Sequence, residues 1–115
     1  MTTVAYYLSP TGKNPVKEFI DSLNIKQIRK ITHLFKAIQT YGLSAIHPHL
    51  KKVTQTPFYE LRILGSDNIR LFFINTSSDS VILLHGYIKK TQKIPLKELQ
   101  TLNKAYSNYQ ISLDK

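Results

Sequence analysis

Two hydrophobic periods run through this sequence, close to 2 in some stretches and to 3.6 in others, and the switches between them mark the elements. VAYYL (Val4 to Leu8) is β-branched and aromatic and stops at Ser9-Pro10-Thr11-Gly12, which predicts a first strand closed by a turn. Asn14-Pro15 supplies a helix N-cap followed by proline at the first helical position, where its missing N–H costs nothing. Val16, Phe19, Ile20 and Leu23 then recur at spacings of three and four, the apolar stripe of one helix. Asn24 and Gln27 form a variant capping box, with Leu23 and Ile28 placed as a hydrophobic staple, so a second helix begins almost at once. Its buried stripe is Ile28, Ile31, Phe35 and Ile38. Lys26, Arg29, Lys30 and Lys36 mostly fall outside that stripe, and Gly42 ends the helix. The pair reads as a helical hairpin with a very short joint.

Beyond Gly42 the periodicity breaks. Leu43 to Pro57, with His47-Pro48-His49 and Lys51-Lys52, reads as loop. FYELRIL (Phe58 to Leu64) alternates, with Tyr59, Leu61 and Ile63 on one face. GSDN (Gly65 to Asn68) is turn chemistry, IRLFFIN (Ile69 to Asn75) is the next strand, and TSSDS turns the chain again. VILLHGYIK (Val81 to Lys89) starts nearly continuously apolar, which places it in the interior of the sheet. Pro95 opens a last helix with Leu96, Leu99, Leu102, Tyr106 and Tyr109 as its apolar side, and a frayed tail is expected after Tyr109. The order β-α-α-β-β-β-α predicts an α+β fold. Two helices precede a three-strand antiparallel meander, and the first strand joins that sheet at an edge or beside a strand. Residues 1–115 read as one domain.

Composition narrows the chemistry. The absence of cysteine excludes disulfides and thiolate metal sites. The N-terminus is too short and polar for a signal peptide and no apolar run approaches spanning length, so a cytoplasmic protein without membrane association is expected. Sixteen Lys+Arg against seven Asp+Glu give a formal charge of +9, which attracts nucleic acid or an acidic partner.

Arg62 and Arg70 lie in the strands flanking GSDN. A three-residue loop places them directly opposite, a like-charge pair that disfavours the hairpin by roughly 0.2–1 kcal/mol unless an anion sits between them. A two- or four-residue loop puts them on opposite faces as ordinary solvated arginines. Lys89, Lys90 and Lys93 follow the third meander strand and would rim the same face if that strand neighbours the arginine hairpin. Lys51 and Lys52 could add a second rim. Each group reads equally as solvated loop. His85, in an apolar run, is either a general base or a hydrogen-bonded core residue. Tyr87 shares its face and could stack a base or simply pack. His47 and His49 flank a proline with no carboxylate nearby, so no metal site is expected. Phosphate-loop, GxSxG, HExxH and RNP-type motifs are absent, and no cofactor is expected. Chemistry run on Arg, Lys, His and Tyr suits metal-independent RNA cleavage, in which the RNA supplies its own 2′-OH nucleophile.

YELRILGSDNIRLFFI followed by ILLHGYIKKTQKIPLKEL resembles the RelE/ParE superfamily of type II toxins, most closely its phage-derived HigB-like branch. The likeness covers Tyr59 to about Tyr106, and the N-terminal strand and helical hairpin agree in layout. It implies a RelE-like fold, a small twisted antiparallel sheet with two N-terminal helices on one face. It also implies ribosome-dependent cleavage of mRNA and inhibition of translation. Arg62 matches a cationic position of the first meander strand, Arg70 an arginine that contacts the scissile phosphate, and Lys89 or Lys90 the basic residue ending the third strand. The resemblance implies an antitoxin partner, often a helix-turn-helix DNA-binding protein through which operator DNA would be reached, with the ribosome and mRNA as targets. Glu60 stands where RelE-type relatives carry lysine, so Glu60, His85 or a lysine remains open as the base. A gyrase inhibitor of the ParE kind, without catalysis, is the alternative on the same fold, and a non-toxic adaptor is a third.

Overall fold

The computed structural model describes residues 2–63, 65, 68–76 and 79–113. Strand β1 (Thr3–Tyr6) leads into helices α1 (Pro15–Asp21) and α2 (Ile25–Tyr41). The cap signals act as expected. Asn14 accepts from the Lys17 backbone N–H ahead of Pro15, and Asn24 and Gln27 exchange side-chain and backbone hydrogen bonds as a full capping box. Gly42 ends α2 with φ of 83° and donates to the Ile38 carbonyl at 2.8 Å.

A 3₁₀ helix (Leu43–His49) and strand β2 (Leu50–Lys52) occupy the first part of the segment expected to be loop. The correction has a plain cause. LKK carries no alternation of its own and becomes a strand by pairing with β3 (Tyr59–Arg62), whose edge would otherwise present open N–H and C=O groups. β4 (Ile69–Thr76), β5 (Ser80–Ile88) and α3 (Leu96–Leu113) complete the chain. Leu64, expected to end the strand from Phe58, and parts of the two turns expected at GSDN and TSSDS (Ser66, Asp67, Ser77 and Ser78) lie outside the described residues. α3 runs on to Leu113 rather than fraying after Tyr109, and Leu96, expected on its apolar side, is exposed.

The five strands lie in the order β1-β5-β4-β3-β2, antiparallel except for β1, which runs parallel to β5 along one edge. The sheet has a helix layer on each face. α1 and α2 pack with Leu61, Ile63, Ile69, Leu71, Phe73, Val81 and Leu83. On the opposite face Phe58, Phe72, Ile74, Ile82, Leu84 and Tyr87 cluster with Leu102 and Ala105 of α3. The mixed α+β architecture expected from the element order is present, with β2 and the 3₁₀ helix added. No helix among the described residues is long and apolar enough to cross a membrane.

One irregularity positions the site. Phe72 pairs with His85, but the next residue, Phe73, pairs with Leu83, so Leu84 is an extra residue in β5. The bulge turns His85 and Tyr87 onto the same face as Ile82 and Leu84. Gly86 then points at the helical hairpin, where an added Cβ would lie 2.6 Å from the Phe19 ring and 2.7 Å from Leu71.

Candidate nucleic-acid cleft

Two lateral rows of side chains cross the α3 face of the sheet. Arg62 of β3, Arg70 of β4 and Tyr87 of β5 are directly opposite one another in register, and one step along the strands Lys51, Glu60, Phe72 and His85 form the second row. The arginines therefore take the paired register, with like charges on adjacent strands. Glu60 offsets part of that repulsion diagonally. Its carboxylate lies 3.6 Å from Arg70 Nε, with side-chain exposures of 5% and 15%. A carboxylate this buried is tolerated only beside cations.

Three polar atoms of the first row have lost their water without gaining a hydrogen bond among the described residues: Arg62 Nε, Arg70 Nε and Tyr87 Oη. Leaving such a group unpaired costs about 1–3 kcal/mol, offset at Arg70 Nε by the Glu60 carboxylate. Burial first, then the Glu60 carboxylate, push the Tyr87 phenol up to about 12, against a lowering by Arg70 and with a further raising by Glu98. The phenol thus keeps its proton at neutral pH and acts as a hydrogen-bond donor, not as a base.

His85 is braced rather than free. It stacks on Tyr87 at 5.9 Å between ring centroids, and its Nε2–H donates to Glu98 Oε1 of α3 at 2.7 Å. Tyr87 in turn stacks on Phe72 at 6.0 Å. Glu98 was not among the sequence candidates. Its signal, an acid in the first helical turn three residues after Pro95, reads locally as dipole compensation.

The basic segment after β5 supplies the wall. A cleft of about 400 Å³ is lined by Arg70, Asn68, Lys89, Lys90, Thr91 and Gln92. A second, of about 560 Å³, includes Lys51, Glu60, Lys89, Gln92 and Lys93. The shared residues Lys89 and Gln92 make them two reaches of one groove. The backbone N–H of Lys89 donates to the Asn68 carbonyl at 2.9 Å, tying this wall to the arginine hairpin. The structure thus brings Arg62, Arg70, Tyr87, Lys51, Lys89, Lys90 and Lys93 to one face, with His85 beneath. Lys52 lines the second reach as well, with its side chain turned towards the next strand. In register with Tyr59, its ammonium sits 5.1 Å from that ring's centroid and donates to the Thr56 carbonyl. His49 faces away, its Nδ1–H donating to the Arg62 carbonyl at 2.9 Å. The Arg70 guanidinium and the lysine ammonium groups lining this groove suit the non-bridging oxygens of a phosphodiester.

Comparison with known proteins agrees with the extent of this unit. The family model described as phage-derived protein Gp49-like (DUF891) matches residues 18–107, which hold both rows, the basic wall and most of α3. No curated protein matches the chain.

Proposed function

This chain belongs to the Gp49-like family of phage-derived proteins, and from that premise we propose that it is the toxin of a type II toxin–antitoxin pair, a ribosome-dependent endoribonuclease acting on mRNA in the cytoplasm. The observation that supports this reading best is the row Arg62–Arg70–Tyr87, whose buried polar atoms make no hydrogen bond among the described residues, beside a basic groove. A bound phosphodiester would satisfy them and relieve the pairing of like charges.

The 2′-oxygen attacks the adjacent phosphorus as the bond to the 5′-oxygen breaks, giving a 2′,3′-cyclic phosphate and a 5′-hydroxyl. Glu60 takes the 2′-OH proton. It is preferred over His85, whose Nε2 is engaged by Glu98, and over Tyr87, whose phenol is held protonated. Arg70 and Arg62 stabilise the charge growing on the non-bridging oxygens. Lys89, at the mouth of the groove, supplies a proton to the departing 5′-oxygen. Lys51, Lys90 and Lys93 hold flanking phosphates, a contribution that weakens as salt rises. The ribosome orients the mRNA, and the cognate antitoxin, a helix-turn-helix protein, restrains the toxin.

The test is inducible expression in a bacterial host of wild type beside Arg70→Ala, with primer extension on a translated reporter mRNA. Growth arrest with in-frame cuts, both lost in Arg70→Ala, is the expected result. Arrest without cuts would overturn the nuclease in favour of gyrase inhibition, and absence of arrest would leave a binding surface alone.

A further inference from the structure

A second cationic groove lies behind the arginine hairpin, on the other side of the sheet. Its volume is about 470 Å³, and it is lined by Arg29, Lys30, His33, Leu34, His49 and Ile63. Arg29 and His33 stand one turn apart on α2, as do Lys30 and Leu34, so two columns of side chains form one wall. The floor is aliphatic, made by Leu34 and Ile63, which belong to the core beneath. The groove is wired to the hairpin through two hydrogen bonds. Lys30 Nζ donates to the Gly65 carbonyl at 3.2 Å, and His49 Nδ1–H donates to the carbonyl of Arg62.

The charge here runs against local preference. Lys26, Arg29 and Lys30 crowd the first six residues of α2, where the macrodipole favours acids, and the whole helix has no acidic residue. A locally unfavourable arrangement kept on an exposed face points to a use for it.

We propose that this groove docks an acidic, leucine-bearing segment of a partner protein. Carboxylates of that segment meet Arg29, Lys30 and His33, while an apolar side chain seats on Leu34 and Ile63. The front groove differs in kind. Beside it the row Arg62–Arg70–Tyr87 holds buried polar atoms without a hydrogen bond among the described residues, which suits phosphate, whereas the rear groove's aliphatic floor under a cationic rim complements an amphipathic peptide. Because the sheet separates the two grooves, the segment binds without occupying the RNA site. The proposal therefore does not depend on cleavage.

Fluorescence anisotropy on the full chain tests it with three probes: a labelled peptide of Glu and Leu, a matched peptide of Glu and Ser, and labelled oligouridine. The Glu/Leu peptide should bind wild type and Arg70→Ala alike and weaken at least about tenfold in Arg29→Glu/Lys30→Glu, roughly 1.4 kcal/mol by the standard conversion. The Glu/Ser peptide should bind wild type at least about tenfold more weakly than the Glu/Leu peptide. Oligouridine should show the reverse dependence on the two variants. The milder Arg29→Ser/Lys30→Ser keeps the test readable should the charge reversal fail to fold. Failure of the Glu/Leu peptide to bind wild type, equal binding of the Glu/Ser peptide, or loss of the Glu/Leu peptide in Arg70→Ala would each overturn the proposal. Loss of oligouridine in the rear variant would do so too, and would make the groove an RNA track. Failure of the nuclease reading shows separately, as oligouridine binding untouched by Arg70→Ala.

Discussion

Replacing Gly86 by alanine should loosen the joint between the helical hairpin and the sheet at the point where the bulge sets the direction of His85 and Tyr87. The new methyl would lie 2.6 and 3.0 Å from two atoms of the Phe19 ring and 2.7 Å from Leu71 Cδ2, against an ordinary contact of 3.4 Å or more. The closest atom on each side must retreat by about 0.7–0.8 Å, the difference between these distances and that limit. Leu71 is fully buried and cannot give way. Phe19 is half-buried, so the strain falls on α1. Overpacking of this kind costs about 1–3 kcal/mol. At roughly 4–8 °C per kcal/mol for a domain near this size, Tm falls by about 5–20 °C. Urea unfolding of wild type, Gly86→Ala, Phe19→Ala and the double variant measures this directly. If the ring is the obstacle, the double variant is less destabilised than the sum of the singles by about 1 kcal/mol or more. A Gly86→Ala protein as stable as wild type, or strict additivity, would refute the argument that α1 seats on this glycine.

Glu60→Gln removes the proton acceptor while nearly preserving volume, so cleavage in a ribosome-programmed assay should fall by about 10²–10⁴-fold. Retained activity would return the base to another group. Leu102→Ala empties a fully buried position where α3 meets the sheet, and denaturant unfolding should show a loss of about 2–5 kcal/mol. Tyr87 gives an alkaline signature. Its folded value, near 12, lies above the ordinary 10.0, so the unfolded chain loses this proton first. Stability contributed by the neutral phenol is therefore complete below about 10 and is lost as pH climbs towards 12. Tyr87→Phe should flatten that decline in melting experiments, and an unchanged slope would contradict the burial argument.

What could be read from sequence was what short-range chemistry controls. Asn14-Pro15, the Asn24–Gln27 box and Gly42 set helix ends through hydrogen bonds spanning three or four residues, and the apolar spacing of Val16, Ile20, Ile31 and Ile38 announced which sides face the core. The alternation of Tyr59, Leu61 and Ile63 did the same for β3. Arg62, Arg70 and the lysines after β5 were identifiable as a cationic set because charge type and strand position need no partner to be seen. Their convergence could not be read, because it depended on a turn whose length could place the arginines together or apart, and the paired register settled it. Distant pairing settled the rest. β2 exists because β3 has an open edge, the Leu84 bulge turns His85 and Tyr87 onto the α3 face, and Glu98 reaches His85 once α3 has docked. Glu60 shows the division most clearly. Its residue type was plain from the chain, but its burial beside Arg70 arises only when three strands and α3 exclude water from that side chain, and burial beside a cation is what gives this carboxylate chemical meaning.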